Sequence, residues 1–204
     1  MNSRTRNLKR SYTLLAPFYD LAVAGALAGA RRRSIARLPQ SGSLSVLVNG
    51  IGTGLDLPLL PTAHRYVGLD LTGAMLGRAR ARRGQLALDL VQGDSQRLPF
   101  ASASFDAVLL HLIVAIVPDP VAVLRETARV LKPGGRVLLL DKFLRAGQRA
   151  PLRRALSPLA ARIATNLDVV FEDALAAVAE LKLVSDEPSL ARGWFRAIEL
   201  ARTA

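Results

Sequence analysis

Gly50-Ile-Gly-Thr-Gly54, Asp70, Asp94 and His111 are the residues of this chain whose types and spacing could do chemistry. Glycine lets the backbone turn sharply and lets a ligand approach without meeting a Cβ, so Gly50, Gly52 and Gly54, with Thr53 among them, can form a cradle. Asp70 stands twenty residues after Gly50. A carboxylate there, closing the next strand, can accept two hydrogen bonds from ribose hydroxyls, or it can cap the following helix. Asp94, in Val91-Gln-Gly-Asp-Ser95, can reach an adenine amino group or hold a turn. In this order the three features suit a nucleoside. A dinucleotide turn of the G-x-G-x-x-G kind needs a third glycine at position 55, where Leu55 stands, so an NAD-dependent oxidoreductase fits poorly. His111 carries an imidazole that can take up a proton during a reaction, or can simply pack beside a ligand and bond to backbone.

These residues need a scaffold that brings them to one edge. From Ser45 onward, short β-rich runs alternate with helical patterns, the arrangement of a parallel sheet flanked by helices. Strands are expected at Ser45–Asn49, Arg65–Asp70, Leu86–Gly93, Ser104–Leu110 and Arg136–Asp141, with two closing strands at Lys182–Ser185 and Trp194–Leu200. Helices are expected over Leu55–Leu60, Thr72–Arg83, Pro118–Leu131, Leu152–Ala164 and Val169–Leu181, and Lys132-Pro-Gly-Gly135 reads as a turn. His64 falls at the amino end of its strand, away from the chemistry. Asp106 reads as a polar strand start, Trp194 as core or edge packing, and Asp141 with Lys142 as a surface ion pair or loop cap bordering the site.

Val46-Leu-Val-Asn-Gly-Ile-Gly-Thr-Gly54, Gly68-Leu-Asp70, Gly93-Asp-Ser95, Leu98-Pro-Phe100, Ser104-Phe-Asp106 and Val130-Leu-Lys-Pro-Gly-Gly135 together resemble the ordered motifs of class I S-adenosylmethionine-dependent methyltransferases of the UbiE-like, methyltransferase type 11 group. The resemblance covers roughly residues 45 to 141. A less specific motif, Tyr12-x-x-x-Ala16-x-x-Tyr19-Asp20, resembles the start of quinone and phospholipid N-methyltransferases in that group. The resemblance implies an α/β, three-layer Rossmann-like fold: a seven-stranded, mostly parallel sheet with an antiparallel last strand, plus an N-terminal helical extension. It implies S-adenosyl-L-methionine as cofactor, S-adenosyl-L-homocysteine as product, and no metal. Gly50, Gly52, Thr53 and Gly54 would lie under the methionine part, Asp70 would hold the ribose, and Leu71 and Met75 would lie near the adenine. Asp94 and Ser95 would hold its amino group. One position departs from the pattern: the group usually carries an acidic residue two places before the first glycine, and here that residue is Val48. Either cofactor affinity is reduced, or Asn49 or a residue of the N-terminal cover substitutes.

Methyl transfer from a sulfonium is an in-line displacement, so the protein aligns, excludes water and, for some acceptors, removes a proton. His111 is the candidate base. Tyr19 is a candidate for orienting the acceptor, with buried packing as its other reading. The organisation expected is an N-terminal helical cover over residues 1–40 and a methyltransferase domain over 41–204, folding as one unit.

The chain has 204 residues, half of them apolar, no cysteine and a net charge of +12. Disulfides and thiolate chemistry are excluded. The positive charge suits anionic headgroups, phosphates or nucleic acid, or is a solvated basic surface. The apolar run Leu21–Ala30 is too short to span a bilayer, which needs roughly 20 residues, and reads as a helix of the mature protein. The expected protein is cytoplasmic, peripheral to the inner face of the membrane, and acts on a small-molecule or lipid-like acceptor of the quinone or aminophospholipid type. The alternatives are an RNA-directed methyltransferase or basic nucleic-acid-binding protein, against which an aromatic content of 5% weighs, and a non-catalytic cofactor-binding domain. Oligomeric state is open.

Overall fold

A computed structural model of the chain describes residues 25, 27–145, 147, 169–190 and 193–203. Tyr12, Tyr19 and Asp20, and the helix expected over Leu152–Ala164, lie outside the described residues.

Apolar side chains alternate across the first strand, so it must be covered on both faces. In β1 (Ser45–Asn49), Val46 and Val48 enter one core cluster while Leu47 enters another. The same division holds in β4 (Phe105–His111), where Ala107 and Leu109 face one cluster and Val108 and Leu110 the other. The remaining strands are β2 (Arg65–Asp70), β3 (Ala87–Gln92), β5 (Leu131–Lys142), β6 (Leu181–Leu190) and β7 (Phe195–Arg202). They form one seven-stranded sheet in the order β3-β2-β1-β4-β5-β7-β6. Pairing is parallel from β3 to β5, and β7 runs antiparallel to both β5 and β6. Pairing of β4 with β5 jumps from Phe105–Leu131 to Ala107–Arg136, which leaves Lys132–Gly135 outside the regular ladder, as their turn chemistry demands.

Residues 27–35 form helix α1, and α2 (Gly73–Arg82), α3 (Pro120–Val130) and α4 (Phe171–Ala176) follow. Helix α3 starts where Asp119 accepts a hydrogen bond from Ala122 N and Pro120 occupies the first turn, which tolerates a missing donor. It buries Val123, Leu124, Ala128 and Val130 against the sheet face shared with Phe171 of α4. The opposite face receives α2 through Ala79, α1 through its last residue, Ile35, and the chain after it through Leu38. Among the described residues, no helix is long and apolar enough to cross a membrane.

Three elements differ from their sequence reading. The helix expected over Leu55–Leu60 is one 3-10 turn, Leu57–Leu59: Pro58 has no N–H to give, and the bonds made are Leu57 N to Gly54 O, Leu59 N to Asp56 O and Leu60 N to Leu57 O. Helix α4 is shorter than expected because Leu181 already belongs to β6. Strand β6 in turn runs past Asp186-Glu187-Pro188, a stretch with a turn-like composition. An edge strand accommodates it, since one side of its ladder needs no partner, and the register shifts at Pro188. Trp194, read as packing, is 41% exposed before β7.

Candidate active site

The strand order reverses at β1, which has β2 on one side and β4 on the other. In open α/β sheets a crevice forms at such a switch, outside the carboxyl ends of the strands. Gly50 follows β1, Asp70 ends β2 and His111 ends β4, and all three line one cleft of about 950 Å³ including its open mouth.

The glycine turn is held from below. Gly50 N and Ile51 N both donate to Leu69 O, and Gly52 N donates to Asp70 Oδ2 at 3.0 Å. Gly52 and Gly54 sit at φ of +56° and +82°, the left-handed region. They differ in surroundings. A Cβ on Gly54 would stand 2.8 Å from Leu57 Cδ1 and 2.9 Å from Ala79 Cα, whereas one on Gly52 would meet nothing closer than Gly50 O at 4.0 Å. Gly54→Ala should therefore lose about 2–4 kcal/mol of stability, from backbone strain plus overpacking against α2. Gly52→Ala should lose only the strain, about 1–2 kcal/mol, but weaken cofactor binding because its methyl projects where the cleft is open. Urea unfolding and calorimetry on both variants check this; equal stability loss in the two would contradict it.

Asp70 is bonded more heavily than a simple ribose acceptor requires. Its Oδ1 accepts from Thr72 N at 2.9 Å and Thr72 Oγ1 at 3.2 Å, while Thr72, not Asp70, is the N-cap of α2. Burial pushes its carboxyl above the ordinary value, against these hydrogen bonds and the one from Gly52. Leu71, Met75, Asp94 and Ser95 line the same cleft as Asp70. Asp94 Oδ1 accepts from Gln96 N and Gln96 Nε2, which is the turn-holding role. Ser95 Oγ donates to Asn49 Oδ1 at 2.6 Å, so Asn49 is tied beneath the turn and does not line the cleft.

His111 is 6% exposed and does not stand alone. Its Nε2 lies 2.9 Å from Ser34 Oγ, and its Nδ1 lies 3.1 Å from Asp56 Oδ2, a distance short enough for ion pairing. Arg31 Nη1 donates to Asp56 Oδ1 at 2.7 Å. Burial would raise the Asp56 carboxyl, but His111 and Arg31 together outweigh it and hold the group well below the usual carboxylate range. Ser34 and Arg31 come from α1, and Asp56 from the turn after Gly54, so three elements meet over the end of β4. Sequence reading gave none of Arg31, Ser34 and Asp56 a role at the site, Arg31 counting only toward the basic surface. The one available signal was Asp56 itself, a charge inside Leu55-Asp-Leu-Pro-Leu-Leu60, where an exposed turn has no use for so many leucines.

His64 and Asp141 have structural partners instead. His64 Nε2 bonds Pro39 O at 2.7 Å at the far end of the strands. Asp141 is fully buried and accepts from Ala115 N at 2.9 Å, which fixes the loop after β4 that forms one cleft wall through Ile113, Ile116 and Val117.

The open side of Gly52, the carboxylates of Asp70 and Asp94 and the apolar Leu71 and Met75 fit a nucleoside carrying a thioether or sulfonium arm. A family described as Methyltransferase domain matches residues 47–139. A phosphatidylethanolamine N-methyltransferase of Cereibacter sphaeroides is 32% identical over 200 residues, covering 96% of this chain and 97% of that protein. The chain belongs to the S-adenosylmethionine-dependent methyltransferases. A demethylmenaquinone methyltransferase of Lactococcus lactis is 35% identical to this methyltransferase over 118 residues, covering 54% of the chain and 47% of that protein. In fold, the methyltransferase is similar to geranyl diphosphate C-methyltransferase of Streptomyces coelicolor, solved with S-adenosyl-L-homocysteine, with a TM-score of 0.70, 16% identity, and coverage of 86% of this chain and 76% of that one.

Proposed function

We propose that this methyltransferase transfers the methyl group of S-adenosylmethionine to the amine of an aminophospholipid headgroup. The observation that carries the reading is the near end-to-end similarity to a phosphatidylethanolamine N-methyltransferase, whereas the similarity to the demethylmenaquinone methyltransferase stops at about half of either chain. The net charge of +12, with Arg32, Arg33, Arg80 and Arg83 exposed, supports approach to an anionic bilayer.

When bound, the cofactor supplies an electrophilic methyl on a sulfonium. Gly50, Gly52 and Thr53 would cradle its arm, with Gly54 shaping the turn from behind against Leu57 and Ala79; Asp70 would take the ribose, Leu71 and Met75 would flank the base, and Asp94 with Ser95 would receive the adenine amino group. Ile113, Ile116 and Val117 keep water from the reacting atoms. An amine acceptor must lose a proton before its lone pair can attack. His111 accepts that proton at Nε2 once Ser34 Oγ yields its place, with Asp56 holding the charge that results. Tyr19, outside the described residues, remains the candidate for orienting the headgroup.

The test presents methyl-labelled S-adenosylmethionine with anionic vesicles containing phosphatidylethanolamine, and separately with a demethylmenaquinol and with a free fatty acid. Label is expected in monomethylated phosphatidylethanolamine. Label only in the quinol or the fatty acid would overturn the acceptor, and label in added RNA alone would move the function to nucleic acid.

A further inference from the structure

We infer that the buried Arg31–Asp56 pair receives the amino-acid end of the cofactor, Arg31 taking the carboxylate and Asp56 the ammonium. The inference rests on S-adenosylmethionine as the ligand of this cleft. Arg31 and Asp56 are 6% and 4% exposed, 2.7 Å apart, and both line the cleft beside Gly52 and Thr53. Burying two charges is expensive even when they pair, and Arg31 makes the arrangement worse, because its Nε is buried and has no hydrogen-bond partner. A guanidinium with one terminal nitrogen on Asp56 and its Nε open keeps a side available to a second carboxylate. Asp56 also keeps capacity, since each carboxylate oxygen has a second lone pair beyond the one facing Arg31 or His111.

An α-amino acid group is a zwitterion, a cation and an anion two bonds apart. Adjacent opposite charges in a wall are its electrostatic complement, and a lone charge is not. The residues that a sequence reading would have asked to do this work are otherwise engaged. Val48 is apolar and buried among Val46, Ile51 and Leu138, and Asn49 gives its Oδ1 to Ser95; neither lines the cleft. Asp70 and Asp94 are committed to Thr72 and Gly52 and to Gln96, on the β2 and β3 side. Asp56 is thus the cleft carboxylate that stands with the glycine turn and the end of β4.

The rival account makes the pair a strap that only ties α1 to the turn after Gly54. A ligand series separates the two. S-adenosylhomocysteine, decarboxylated S-adenosylmethionine and 5′-methylthioadenosine are titrated by calorimetry into the wild-type chain, Arg31→Met, Arg31→Lys and Asp56→Asn. Methylthioadenosine keeps the base, ribose and sulfur and lacks the amino-acid end. Arg31→Met is expected to weaken S-adenosylhomocysteine by about 10- to 100-fold, with methylthioadenosine and the decarboxylated cofactor changed less than about two-fold. Asp56→Asn should weaken both ammonium-bearing ligands and spare methylthioadenosine. Arg31→Lys keeps the charge without the fork and should lose an intermediate amount; it serves if Arg31→Met lacks a native-like thermal transition. Parallel loss of all three ligands in folded variants, or no loss of S-adenosylhomocysteine, overturns the assignment while leaving the cofactor reading intact. If the wild type binds neither S-adenosylhomocysteine nor methylthioadenosine, the cofactor reading falls and this assignment with it.

Discussion

Asp70→Ala is expected to lower the affinity for S-adenosylhomocysteine by at least about 100-fold, roughly 3 kcal/mol, because it removes two kinds of support at once. One is direct: the carboxylate that lines the cleft at the end of β2 and is proposed to take the ribose. The other is indirect, since Asp70 Oδ2 fixes Gly52 N and Oδ1 fixes the cap residue Thr72. Asp70→Asn should recover part of the loss, because one amide oxygen can still accept while the amide nitrogen opposes Gly52 N–H. Calorimetry on both, with circular dichroism to confirm folding, decides it; a folded Asp70→Ala that binds within about two-fold of wild type would remove the ribose role. Acidity adds a second readout. With the carboxyl held above its ordinary value by burial, affinity should begin to fall with decreasing pH earlier than it would for an unshifted carboxyl, because protonation strips its acceptor capacity. Stability moves the other way for this residue: a raised folded-state value means that its contribution is present at low pH and is lost as pH rises through that value.

Arg196→Met should lose about 3 kcal/mol of stability. Arg196 is 1% exposed in β7 and donates to Asp186 from Nε and Nη2, to Glu172 Oε1 from Nη2 at 2.7 Å and to Leu144 O from Nη1 at 3.2 Å. Its guanidinium also lies 5.4 Å from the centre of the Phe171 ring. One side chain therefore joins β6, β7, α4 and the chain just after β5, and its removal leaves Asp186, among the described residues, with the exposed Arg145 for compensation. The partial exposure of Glu172 keeps the estimate at the lower end of the range for a broken buried pair. Urea titration should show an earlier midpoint, while cofactor affinity below that midpoint stays within about two-fold, because Arg196 does not line the cleft. A midpoint shift worth under about 1 kcal/mol would mean that the carboxylates find water as a substitute.

The sheet was legible because its strands are buried on both faces and therefore read as apolar runs, with β1, β2 and β4 recovered almost to the residue. The glycine turn and Asp70 were legible for another reason, since a sharp turn and a strand-end carboxylate each leave a local mark on composition. Elements that take their shape from partners distant in sequence were not. The stretch Asp186-Glu187-Pro188 looks like a turn until Arg196 supplies its counter-charge and the sheet edge supplies its tolerance for proline. Arg31 was one of three consecutive arginines, and nothing local separates it from the exposed Arg32 and Arg33. Only the 25 residues that the chain travels before returning with Asp56 make it a buried residue.

Helix α1 gives the cleft Arg31 and holds His111 through Ser34, yet the stretch that matches the methyltransferase family begins at residue 47. The borders of the family match and of the cleft's wall therefore differ, although the likeness to the phosphatidylethanolamine N-methyltransferase runs nearly end to end. A hybrid made by exchanging residues 47–139 between two such proteins would import the floor of one active site beneath the wall of another, and could join one parent's Asp56 to the other's helix. The two pieces have to be transplanted, or allowed to drift, together.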